Sequence, residues 1–126
     1  MGPTVLVNTE IQAGQQVLSA LDAAGLNIRT AFWARLSEPR EWRLFLITPS
    51  VDVEGPRNVY SRIEKILRKG HLNFLVTQMT VVGPHDPIAQ EVRRALQPSQ
   101  YGSTSALQLP NLGGSLVEDA YVYRSS

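Results

Sequence analysis

At 126 residues and 43% apolar composition, the chain is long enough for one hydrophobic core and too apolar for a disordered segment. Its formal net charge of +1 selects no class of partner, and the absence of cysteine excludes a disulfide framework and a thiolate metal centre. No apolar run approaches the roughly 18 residues of a membrane span, and positions 1–8 lack the basic start of a signal peptide. The expectation is one domain over residues 1–126, cytoplasmic and without a membrane partner.

Residues 4–7 form a brief apolar run, the length of a short strand. Thr9, with Gln12 three residues on, makes a capping-box pattern. Ile11, Val17, Leu18, Leu21 and Ala24 then share one helical face, and Gln12, Gln15, Gln16, Ser19 and Asp22 fall on the other. Gly25 suits the left-handed position that closes such a helix, with Leu26 placed for a closing apolar contact. Two alternating strands follow at 28–36 and 42–48, joined by a loop over 37–41 that contains Pro39. Pairing Leu36 with Trp42 would set Trp33 across from Phe45, Ala31 across from Ile47 and Arg35 across from Arg43.

Positions 49–55 read as an acidic turn carrying Asp52 and Glu54. Pro56 suits the first turn of a helix running from about Gly55 to Lys69. Val59, Tyr60, Ile63, Ile66 and Leu67 form its apolar stripe, and Arg62, Lys65 and Lys69 lie together on a flank. Gly70 is read as the residue that stops it. A third strand is expected over 74–82, then a rigid turn at 83–87 and a short helix through Ile88, Val92, Ala95 and Leu96 that Pro98 ends. Residues 97–105 are polar and loop-like, and 106–109 with 115–123 suggest a closing hairpin around 110–114. The order is (β)αββαβα-ββ: an α+β fold with a mainly antiparallel sheet, helices packed on one side, and an order compatible with a ferredoxin-like core. That fold hosts many unrelated functions.

The segments Ala31-Phe32-Trp33, Glu41-Trp42-Arg43-Leu44, Glu54-Gly55-Pro56-Arg57 and Val117-Glu118-Asp119-Ala120-Tyr121-Val122-Tyr123-Arg124 resemble those of a family of small uncharacterised bacterial proteins. The likeness spans most of the chain. It implies a bacterial, stand-alone domain and carries over no activity and no site.

Chemistry-bearing residues are sparse. Asp52 and Glu54 are two acids beside a Pro-Gly turn, whereas a hydrolytic metal site needs several ligands converging on one point. They read more simply as solvated acids near a helix start. His71 and His85 have no partner at a motif spacing, and His85-Asp86 fits turn and cap chemistry. Glu118 and Asp119 adjoin in a strand, so one should face the covered side unless the strand is bulged, lies at an edge or pairs with an arginine. Nucleophile-elbow, phosphate-loop and dinucleotide motifs are absent. No catalytic residue, metal ligand or cofactor is assigned.

Three functional expectations follow. The first is a non-enzymatic protein-interaction or self-associating accessory domain, with Trp33, Phe45 and Ile47 as its interface and an unknown protein or a second copy as its partner. The second is a nucleic-acid-binding module using the basic flank Arg62, Lys65 and Lys69 and a stacking platform of Trp33 and Phe45 rimmed by Arg29, Arg35 and Arg43. Residues 57–71 do concentrate charge, with Arg57, Arg62, Lys65, Arg68 and Lys69 against Glu64 alone. The third is a small metal-assisted hydrolase.

Overall fold

The computed structural model describes residues 8–37, 40–95, 104–105 and 117–124. The expected strand at 4–7 and the first arm of the closing hairpin at 106–109 lie outside the described residues. Helix α1 is Asn8–Ala23, followed by strands β1 (Thr30–Ser37) and β2 (Arg40–Ile47). A five-residue helix α2 (Ser50–Glu54) occupies the predicted acidic turn and leads into α3 (Pro56–Lys69). Strand β3 (Met79–Val82), helix α4 (Pro87–Ala95) and strands β4 (Thr104–Ser105) and β5 (Val117–Arg124) complete the order. The expected third strand over 74–82 is thus half as long, because Asn73–Gln78 winds into a 3₁₀ helix first.

Among the described residues the sheet has five strands in the order β3-β2-β1-β5-β4. All neighbours are antiparallel except β2 and β3, which run parallel and are joined through α3. The α+β class with a mainly antiparallel sheet is therefore what the chain adopts. A ferredoxin-like order would place a strand from 4–7 between β2 and β3, yet those two strands bond directly, Leu44 beside Met79 through Ile47 beside Val82.

Strand register differs from the expected pairing by one residue. Leu36 faces Glu41, Trp33 faces Leu44 and Phe32 faces Phe45, with Ser37 opposite Arg40 at the end of the hairpin. The strands run closer to the turn than expected, leaving only two positions between them. A one-residue slip sends every side chain of a strand to the other face. Trp33 and Phe45 consequently lie on opposite sides of the sheet, and Arg35 faces Trp42 rather than Arg43.

Both faces of the sheet are covered. Val17, Leu18 and Leu21 of α1 and Val59, Ile63 and Leu67 of α3 pack on one face against Ala31, Trp33, Leu44, Leu46, Met79 and Val81. Helix α4 crosses to the other face, where Ala89 and Val92 meet Phe32, Ala34, Phe45, Ile47 and Val122. The expectation of helices on one side holds for α1 and α3 and fails for α4. Phe32 and Phe45 stack there with ring centroids 5.1 Å apart. The outer edge of β3 is partly sealed, because the Val81 N–H donates to the Tyr60 hydroxyl at 2.8 Å. Occupying an edge donor in this way hinders pairing with another strand.

The two long helices end alike. Leu26 N–H donates to Leu21 O at 3.0 Å, with Gly25 at a φ of 84°. Leu72 N–H donates to Leu67 O at 2.8 Å, but here the left-handed residue is His71, at a φ of 60°. Gly70, read from the sequence as the stop, has a φ of −100° and needs no glycine-specific conformation.

Candidate functional site

The surface with the most organised chemistry is the outer face of α3. Its inner stripe of Val59, Ile63 and Leu67 is fully buried, which fixes what the rest of the helix shows to solvent. Arg57, Ser61, Lys65 and Arg68 follow one another along the outside, and Asn58, Arg62 and Lys69 form the adjoining row. Of these, Arg62 is half-buried and the other six residues are exposed. Arg62 pairs with Glu54 of α2, and Arg68 pairs with Glu64 one turn back. Arg57, Lys65 and Lys69 have no ion pair among the described residues. Lys65 and Lys69 therefore stand on the flank expected from spacing, and Arg57 and Arg68 extend it into a face.

Arg68 and Lys69 suit the negative end of the helix dipole. Arg57 does not, since it occupies the first turn, where acids are favoured and where α3 has none. Capping electrostatics thus explains one end of the stripe and leaves the other end unexplained. Ion pairs this open to solvent contribute at most about 1 kcal/mol, so neither Glu54 nor Glu64 holds its arginine firmly.

The platform expected on the hairpin does not form. Trp33 is 0% exposed and sits under α1, where its Nε1–H donates to the Tyr123 hydroxyl at 2.9 Å. Phe45 and Ile47 are buried against α4. None of these three rings and chains presents a surface to a partner or a base, so both roles given to them are corrected. Arg43 lies on the face opposite Trp33 and ties β2 to β3, donating from Nε to Thr80 Oγ1 at 2.5 Å and from Nη2 to Met79 O at 3.0 Å. Arg35 is half-buried between β2 and β5, next to Trp42 and Asp119 in register. Arg29 is exposed just ahead of β1, with its backbone N–H on Ile47 O at 2.9 Å. The one-residue slip is what scatters this set.

The acids and histidines assemble only in pairs. Asp52 Oδ2 meets His85 Nδ1 at 2.8 Å, closing α2 onto the turn between β3 and α4. Gly83 makes room for it, since a Cβ there would overlap the Asp52 carboxylate. His85 is 89% exposed at the side chain, so the pair is a surface contact. Glu54 is spent on Arg62, and His71 occupies the end of α3. Among the described residues, no group of three histidine, aspartate or glutamate side chains could hold a metal ion. Strand β5 is bulged at Glu118, because Arg35 pairs with Asp119 and Leu36 with Val117. The side chains of Glu118 and Asp119 lie outside the described residues.

Sequence reasoning missed the connection of α1 to β5. The Tyr123 hydroxyl accepts from Trp33 and donates to Ile11 O at 2.6 Å, and burial pushes its phenol pKa up. Gly14 permits this, because a Cβ there would overlap the Tyr123 hydroxyl and stand 2.9 Å from Trp33 Nε1. A lone glycine inside a regular helical pattern is the available signal. Among the described residues no helix is long and apolar enough to cross a membrane. No family model, curated protein or solved structure matches the chain.

Proposed function

We propose that the chain is a binding module that takes a polyanion, a nucleic acid, on the outer face of α3. One observation carries this reading: cations run the whole length of that face, including Arg57 in the first turn, where the helix dipole disfavours them. A helix needs only its buried stripe to fold here, so an outer face of one sign is not required by packing. The protein-interaction reading loses its named residues, since Trp33, Phe45 and Ile47 are inside the fold. The hydrolase reading is left with the exposed Asp52–His85 pair.

Fluorescence anisotropy with mixed-sequence oligonucleotides tests the proposal. Binding should be measurable at low salt and weaken steeply as salt rises, because each neutralised phosphate releases counterions with a slope of roughly −0.9 on duplex. Changing Arg62, Lys65 and Lys69 together to alanine should weaken binding and flatten that slope. Absence of binding at low salt would refute the reading.

A further inference from the structure

We infer that the ligand on α3 is the phosphodiester backbone of a duplex, held without reading its base sequence; this deepens the polyanion reading and rests on it. The cations form a rigid row rather than a flexible tail. From Arg57 to Lys69 the helix rises about 18 Å at 1.5 Å per residue. Along its axis a duplex carries one phosphate charge per about 1.7 Å, so a row of that length can reach several phosphates. Five cations stand along it.

Single-strand binders add aromatic side chains on which bases stack. The outer face of α3 has none, and Trp33, Trp42, Phe32 and Phe45 are buried in the two cores. Base readout needs a helix free to enter a groove. Helix α3 instead lies on the sheet beside α1, so only its outer ridge is accessible. Asn58, whose amide could recognise an adenine edge, already donates to Glu54 O at 2.8 Å. Long cations and one serine remain, and these suit phosphate oxygens. Glu54 acts as a restraint in this arrangement, because its pairing withholds Arg62 from the row.

Anisotropy should be measured on two unrelated labelled duplexes of about 20 base pairs and on their separated strands, between about 50 and 200 mM salt. Duplex should bind at least about fivefold more tightly than single strand, the two sequences should agree within about twofold, and the logarithmic salt slope should lie near −3 to −4.5. Releasing Arg62 with Glu54→Gln should tighten duplex binding by about two- to fivefold and steepen the slope by about one contact. Tighter binding to the single strands, or more than about tenfold discrimination between the duplexes, would overturn this inference and leave the polyanion reading standing. Failure of both nucleic-acid forms to bind would overturn both.

Discussion

Helices α1 and α3 lie side by side on the same face of the sheet and bury similar stripes, yet their outer faces have nothing in common. Helix α1 shows Gln12, Gln15, Gln16 and Ser19 to solvent and contains no cation. Helix α3 shows five cations and keeps its one acid, Glu64, at the margin in a pair with Arg68. Their inner faces differ as well. Beside Val17, Leu18 and Leu21, helix α1 is fastened by a polar network through Gly14, Trp33 and Tyr123, whereas beside Val59, Ile63 and Leu67 α3 has the Tyr60 hydroxyl on the Val81 N–H. Folding demands explain α1 inside and out. They explain only the inside of α3, and that leftover is where function is to be sought.

The comparison breaks most visibly at Trp33. Trp33→Ala should destabilise the fold by about 3–5 kcal/mol in urea unfolding, the cost of emptying a buried aromatic site. A loss below about 1 kcal/mol would mean that the ring is a surface platform after all. Gly14→Ala should cost about 1–3 kcal/mol, since the added methyl forces the Tyr123 hydroxyl away from Trp33 and Ile11 O. Tyr123→Phe should cost about 1–3 kcal/mol by leaving the Trp33 N–H buried and unpaired. With its phenol pKa raised in the fold, Tyr123 stays protonated when the unfolded chain ionises near pH 10, so stability should fall as pH rises past that point. Titrating unfolding in wild type and in Tyr123→Phe should show that portion of the alkaline loss vanish in the variant. At the end of α3, His71→Gly should gain about 0.5–1 kcal/mol, because the left-handed conformation at a φ of 60° costs histidine more than glycine.

Element order was legible in the sequence because each long element has its own periodicity and punctuation. Gly25 with Leu26, and Pro56 with the Val59, Ile63 and Leu67 stripe, mark their helices without ambiguity. Register was not legible. Alternation fixes which residues share a face within one strand, but a loop shorter by two residues on the β2 side and one on the β1 side reassigns neighbours across strands, and both faces of this hairpin are apolar. With no polar side to anchor parity, Trp33 and Phe45 could be drawn together on paper although they lie on opposite faces. Residues 74–78 read as strand for a related reason: a short apolar run serves a strand or a 3₁₀ helix equally well. The flank on α3 was visible because it needs only one helix and no tertiary contact. The Asp52–His85 and Trp33–Tyr123 contacts join residues far apart in the chain and could not be read from spacing.

The most direct test of the account is removal of the α3 cations that no carboxylate holds among the described residues. Arg57→Gln, Lys65→Gln and Lys69→Gln should be combined in one variant and compared with wild type by duplex anisotropy and by urea unfolding. Unfolding stability should change by less than about 0.5 kcal/mol for each exposed site. Duplex affinity at low salt should fall at least about tenfold, and the salt slope should flatten by about 2.7, the share of three phosphate contacts. An unchanged affinity and slope in a folded variant would contradict the claim that the outer face of α3 is the binding surface.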